Sequence, residues 1–191
     1  LDASLIQIQG SGRVQLPGGE TIRLQYADQN GHPYRAIGRY LVDIGELPLE
    51  QVTISTIRQW LGNHPDRIDE VLNSNPSVVF FRVKRLEDPS RGPRGSLGVA
   101  LTAGRSIAVD RRFVPLGTPV FLATTDPLST LPLRRLVLAQ DTGGAIQGAI
   151  RADLFWGFGS DAAAQAGEMR HQGQMWLIWP KTAVLPSLAE R

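Results

Sequence analysis

The sequence predicts a mainly β chain with a few short helices, arranged in two parts. Three observations carry this. Beyond residue 96, short apolar segments alternate with turn signals at the spacing of an all-β barrel or sandwich. Helical periodicity is concentrated between residues 30 and 75. Between these regions lies "EDPSRGPRGS" (87–96), rich in Pro, Gly and charge, which reads as a boundary or an exposed loop. The parts are therefore drawn as 1–84 and 85–191. At 191 residues with 42% hydrophobic content, the chain is long enough to bury a core.

The elements follow in order. "SLIQIQ" (4–9) alternates apolar and polar and predicts a half-buried strand, so the chain reads as beginning inside a strand, with neither Met nor a signal-like segment. "GSGR" reads as a turn, and "VQLPGGETIRLQYA" as a hairpin with Pro-Gly-Gly at its tip. In "DQNGHPYRAIGRYLVDIG", Asn30 or Gly31 starts a helix with Pro33 in its first turn. Tyr34, Ile37, Leu41 and Ile44 share a face, and Gly45 stops it. "TISTIRQWLGNH" and "PDRIDEVLNSN" predict two more helices, with Thr53 or Ser55 as a cap and Pro65 at the break. Ile54, Ile57, Trp60 and Leu61 form an apolar stripe that reads as core. "SVVFFRV" (77–83) reads as a buried strand. The remaining candidate strands are "GVALT", "SIAVD", "PVFLATT", "RRLVLAQD", "AIRADLFWG" and "QMWLIWP". One helix at about 160–167 interrupts them, with Ser160 as N-cap and Gly167 as stop.

Composition excludes several functions. There is no cysteine, hence no disulfide, thiol nucleophile or Cys-based zinc site. His32, His64 and His171 are far apart and lack metal-ligand spacing, so no metal and no cofactor are expected. The net charge of +2 and the scattered basic residues argue against nucleic acid. No GxSxG nucleophile motif occurs, and "GSGR" lacks the Lys of a phosphate loop. The four tryptophans read mostly as core, with some left as possible sugar platforms.

Two aspartates stand out in "LAQDTGGAIQGAIRADLFWGFG" (138–159). Asp141 lies in Asp-Thr-Gly, the tripeptide of aspartic proteases, but those enzymes need two such aspartates sharing a proton and the chain has one copy. Asp141 ending a strand before a Gly-Gly turn is the stronger reading. Asp153 precedes Leu154, Phe155 and Trp156. It is either solvated on the polar face of a strand or set in a partly apolar cleft, where desolvation would keep it protonated for acid catalysis. Composition alone favours the solvated face.

The order and spacing of "SIAVDRRFVPLGTPVFL" and "VLAQDTGGAIQGAIRADLFWGFG" resemble the three-aspartate (3D) domain of the MltA family of lytic murein transglycosylases. The three aspartates map to Asp110, Asp141 and Asp153. Upstream, "IQIQGSGRVQL", "YADQNGHPYRAIGRYLVDIGEL", "ISTIRQWLGNHP" and "NPSVVFFR" resemble the rest of that family's pattern. The resemblance implies a double-psi β-barrel over 85–191, part of an inserted β-rich domain over 1–84, and a substrate groove between them. It implies a peptidoglycan-cleaving enzyme acting on glycan strands as a monomer. Its place would be the periplasmic face of the outer membrane, held by an N-terminal lipid anchor that this chain lacks along with one part of the barrel. Asp153 in "RADLFWG", also similar to the "HFD" acid of barwin-like endoglucanases and expansins, becomes the catalytic residue. Asp110 and Asp141 become supporting residues. Gln9, Gly10, Ser11 and Gly12, with Gly143, Gly144 and Ala145, become candidate substrate contacts. The implied reaction cuts the β-1,4 bond between MurNAc and GlcNAc. Asp153 would give a proton to the glycosidic oxygen and then take one from the C6 hydroxyl of MurNAc, leaving a 1,6-anhydro sugar. Charge developing at C1 would be met by Asp141, by carbonyls around 143–145, or by the substrate's N-acetyl group. A non-catalytic, barwin- or expansin-like glycan-binding module is the alternative.

Overall fold

A computed structural model of the chain describes residues 1–86 and 88–184. The fold is mixed α/β with more strand than helix, and it holds two sheets. It divides into two compact units, Leu1–Glu87 and Asp88–Arg191.

The first unit opens with a helix, α1 (Asp2–Gln9), where alternation predicted a strand. Six residues are too few to separate a period of two from a period of 3.6, and the stop at Gly10 decides it. Gly10 is left-handed at φ 69 and its N–H closes on the Ile6 carbonyl, which is a helix C-cap rather than a strand end. "GSGR", predicted as a turn, is the start of β1 (Ser11–Gln15). Gly12 is required there because a Cβ would lie 2.8 Å from the Ile6 side chain of α1. β2 (Thr21–Gln29) completes the predicted hairpin, and β3 (Val79–Arg85) adds to its other side in the order β1-β2-β3, all antiparallel.

The predicted strand at 77–83 is shifted and is not buried, with Val83 64% exposed. Phe80 and Val83 are exposed, while Val79 and Phe81 are half-buried.

Three helices form this unit's core. α2 (Ile37–Asp43) starts later than the periodicity suggests. Residues before it are held extended instead: the Asn30 side chain donates to the Pro76 carbonyl and accepts from Val78 N–H, and Arg35 N–H donates to Asn75. Tyr34 is therefore outside the helix, while Gly45 at φ 78 follows its end. α3 (Ile54–Asn63) is capped by Thr53, whose hydroxyl accepts from Thr56 N–H in a reciprocal box. Pro65 starts a 3-10 turn before α4 (Ile68–Asn73). Ile37, Leu41, Ile57, Trp60, Leu61 and Val71 pack together, whereas Ile54 is 49% exposed.

The second unit is a five-stranded sheet in the order β7-β4-β6-β5-β8. Its strands are β4 (Ser106–Val109), β5 (Pro119–Thr125), β6 (Pro132–Asp141), β7 (Ala152–Leu154) and β8 (Gln174–Leu177). β4 and β6 are parallel and the other pairs antiparallel. Ile107, Val109, Val120, Leu122, Val137 and Ala139 fill its core face.

The predicted strand "GVALT" is instead a tight loop with a single bridge between Arg94 and Ala100. Gly95 N–H bonds the Val99 carbonyl and Gly98 turns at φ 81, geometry that a ladder does not accommodate. "AIRADLFWG" yields only three strand residues because Gly148 and Gly157, both at positive φ, break the chain on either side. α5 (Gly159–Glu168) begins after Phe158 with no side-chain cap, so Ser160 is not its N-cap and Gly167 lies inside it. Of the tryptophans, Trp60 is buried; Trp156 and Trp179 are half-buried, and Trp176 is 49% exposed.

Candidate active site

The C-terminal end of β4 organises the three aspartates. Ala108 is the register partner of Asp141 in β6 on one side and of Asp153 in β7 on the other. Partners in a ladder project to the same face, and neighbouring strands lie about 4.8 Å apart. The two carboxylates therefore flank Ala108 on one face, with backbones roughly 10 Å apart. Ile107 and Val109, the alternate positions of β4, are buried on the core face. A bulge between Ile107 and Ala108 in the β4–β6 pairing brings Asp141 rather than Gln140 into this row.

The three carboxylates have different partners. Asp110, just past β4, is buried. It accepts from the Arg112 guanidinium at 2.6, 3.0 and 3.2 Å, from Arg112 N–H at 3.0 Å and from Gly148 N–H at 2.9 Å. The Arg112 bonds first, and then the Gly148 N–H, hold its carboxyl well below the usual carboxylate range. Asp110 thus fastens the segment leading into β7.

Asp141 accepts from Ser96 N–H at 2.9 Å and from the Ser96 hydroxyl at 3.0 Å, and that hydroxyl also shares a hydrogen bond with Thr142. A Cβ on Gly95 would lie 2.5 Å from the Gln140 carbonyl, so the 93–98 loop lies directly against this corner. Gly143 closes a turn through its carbonyl and Ile146 N–H, and a Cβ there would meet Ile146 at 2.9 Å. Gly144 and Ala145 are exposed in the same turn.

Asp153 is held least. Its side chain is 50% exposed and its partner is Arg151, with Nε at 3.2 Å and Nη2 at 3.4 Å from the two carboxylate oxygens. Both residues border an open pocket of about 290 Å³. Trp156, His171, Met175 and Leu122 also line it, giving an apolar floor beside a charged rim. Gln9, Gly10, Ser11 and Gly12 lie in the first unit at the junction of α1 and β1. Among the described residues, no group of three His, Asp or Glu side chains is positioned to hold a metal ion.

Sequence reasoning missed Arg151, Arg112 and Ser96. Arg151 carried a signal, since residues two apart on a strand share a face. Ser96 and His171 carried none, because loops bring them in.

Comparison with known proteins assigns two domains to the chain. Residues 1–82 match the MltA specific insert domain, and residues 105–179, which contain all three aspartates, match the 3D domain. The chain belongs to the MltA family. It is 34% identical to membrane-bound lytic murein transglycosylase A of Escherichia coli K12, over 96% of this chain and 50% of that protein. The crystal structure of MltA from Neisseria gonorrhoeae is similar with a TM-score of 0.84 and 43% identity, over 94% of this chain and 46% of that one. A structure of E. coli MltA with bound chitohexaose is similar with a TM-score of 0.80 and 33% identity, over 91% and 52%. The chain spans about half the length of the curated relatives it matches. These relatives are named membrane-bound. No described helix here is long and apolar enough to cross a membrane.

Proposed function

We propose that this chain carries the catalytic aspartate of a lytic murein transglycosylase that cuts between MurNAc and GlcNAc and leaves 1,6-anhydroMurNAc. One observation carries the reading. Of the three aspartates, Asp110 and Asp141 accept backbone N–H donors, while Asp153 is half-exposed at a pocket rim and is held by the Arg151 guanidinium.

Asp153 as the acid donates its proton to the glycosidic oxygen, and the bond from C1 to that oxygen breaks. The resulting carboxylate then accepts the proton of the C6 hydroxyl as its oxygen closes on C1. Arg151 stands ready to pair with the carboxylate formed when the proton leaves. Because the attacking hydroxyl belongs to the substrate, one carboxylate suffices where a hydrolase uses two, and the reaction gains from an intramolecular nucleophile. Asp141 and the 143–145 turn, one strand beyond Ala108, are supporting elements, and Asp110 fixes the approach to β7. In this reading, residues 85–191 form part of a double-psi barrel and residues 1–84 part of the inserted domain. The whole protein acts on peptidoglycan strands as a monomer, lipid-anchored at the periplasmic face of the outer membrane.

The test is cleavage of purified murein by the chain and by Asp153→Asn, with anhydromuropeptides read by mass spectrometry. The parent is expected to release them and the variant to fold but release none. Retained cleavage in the variant overturns the assignment. Binding of murein without cleavage by the parent points instead to a glycan-binding module.

A further inference from the structure

The half-buried carboxylate of Asp141 is held unevenly. Ser96 donates to it twice, from its N–H at 2.9 Å and from its hydroxyl at 3.0 Å, and both bonds end on Oδ1. Among the described residues, no donor is bonded to Oδ2. The hydroxyls form an ordered chain. A carboxylate only accepts, so the Ser96 hydroxyl directs its single proton to Oδ1, and the Thr142 hydroxyl, 2.7 Å away, donates to Ser96.

The loop that delivers Ser96 is itself fixed. Leu97 N–H donates to the Gln140 carbonyl at 3.0 Å, Gly95 N–H to the Val99 carbonyl at 3.0 Å, and Leu101 N–H to the Pro93 carbonyl at 2.9 Å. A Cβ on Gly95 would come within 3.2 Å of Asp141 Cβ as well as 2.5 Å of the Gln140 carbonyl, so glycine is what lets the loop lie this close to the end of β6. Gln140 is anchored in turn, its side-chain oxygen accepting from the buried Ser106 hydroxyl at 2.5 Å. These contacts converge on the placing of one carboxylate.

On the murein reading above, we propose that Ser96 is a positioning residue that holds Asp141 so that Oδ2 accepts a hydrogen bond from a hydroxyl of the glycan. Two tasks were open to Asp141, and its partners separate them. Stabilising positive charge at C1 needs negative charge nearby, and that attraction depends on distance rather than on which oxygen is presented. A hydrogen bond is directional and needs one oxygen in one place. Two donors converging on Oδ1, with Oδ2 left as an acceptor, suit the second task. Asp141 and Asp153 flank Ala108 on one face, which puts this acceptor on the side of the sheet where the acid meets its substrate. Asp141 is then a glycan-binding residue, and Ser96 acts through it.

The experiment uses peptide-free glycan strands, released from murein by an amidase, and two readouts. Affinity is measured by calorimetry in an Asp153→Asn background, where the strands stay whole, and kcat and KM are measured with Asp153 intact. Asp141→Asn keeps an oxygen for the Ser96 donors and sets an amide NH2 where Oδ2 stood. Affinity should fall about tenfold, the loss of one charge-assisted bond. Ser96→Ala keeps the N–H donor and loses the hydroxyl, so affinity should fall about threefold, and Ser96→Thr should restore it. KM should rise by the same factors while kcat stays within about twofold of the parent. A fall in kcat at unchanged affinity overturns the proposal in favour of charge stabilisation by Asp141. Unchanged affinity and kinetics in Ser96→Ala overturn it as well, as does a Ser96→Thr variant that binds no better than Ser96→Ala. So does a background protein with no measurable affinity for the strands. Should Ser96→Ala not fold, Asp141→Asn decides by itself. The enzyme reading is scored separately: lack of 1,6-anhydro products from the chain with Asp153 intact sinks that reading and leaves the affinity comparison standing.

Discussion

At the end of β4 three carboxylates are gathered and two accept backbone N–H donors, whereas on β1, β2 and β3 four basic residues, Arg13, Arg23, Lys84 and Arg82, share one face in two adjacent rows. The first arrangement favours stability. Asp110 and Asp141 fasten a segment and a loop around the one carboxylate left at a pocket. The second sets basic residues of three strands side by side, with Arg13 and Arg23 half-buried.

That contrast can be broken at several points. The largest effect is expected at Asp153. Asp153→Asn should lower murein cleavage by about 10²–10⁴-fold, the range of a lost general acid, with an unchanged melting temperature. Asp141→Asn should lower activity less, and Ser96→Ala should reproduce part of that loss by freeing the 93–98 loop. An equal loss at both aspartates, with folding intact, would mean that Asp141 is as much a part of the chemistry as Asp153.

Asp110→Ala comes next, since it strands the Gly148 N–H and the Arg112 guanidinium. It should lower the melting temperature and speed hydrogen exchange at Gly148. Because the Asp110 carboxyl is held far below its ordinary 3.8, its stabilisation is complete above that value and is lost only as pH falls into strong acid. The Gly148 amide should therefore remain protected at pH 4, and deprotection there would contradict the bond.

A smaller effect is expected at Glu70, whose carboxyl is lowered from 4.5 to about 2 by hydrogen bonds from Arg67 first and Tyr40 second. A depressed acid stabilises above its unfolded value and loses that contribution as pH falls through the folded one. The melting-temperature gap between parent and Glu70→Gln should be full at pH 7, begin to close near pH 4.5 and vanish near pH 2.

How far the sequence spoke depended on how local each cause is. Thr53 as a cap, the Gly45 stop and the strands β4, β5 and β6 follow from patterns spanning a few residues, and the structure agrees. The helix at Asp2–Gln9 was hidden because "SLIQIQ" suits either period and only the left-handed Gly10 separates them. The 98–102 segment and the exposed Phe80 and Val83 of β3 were misread because hydrophobicity does not reveal how many neighbours a sheet has. The aspartates were visible as residues, but their different partners were not: Ser96 reaches Asp141 across 45 positions and Gly148 reaches Asp110 across 38. The cation row is the plainest case. Arg13, Arg23 and Lys84 look scattered along the chain, and only antiparallel pairing makes them neighbours.

The central claim is that one carboxylate works with the substrate's own hydroxyl. The direct measurement is digestion of murein by the parent chain in ¹⁸O-labelled water, followed by mass spectrometry of the released muropeptides. The account predicts 1,6-anhydro ends without label. Reducing ends carrying ¹⁸O would show that water is the nucleophile and that a second catalytic group has been overlooked.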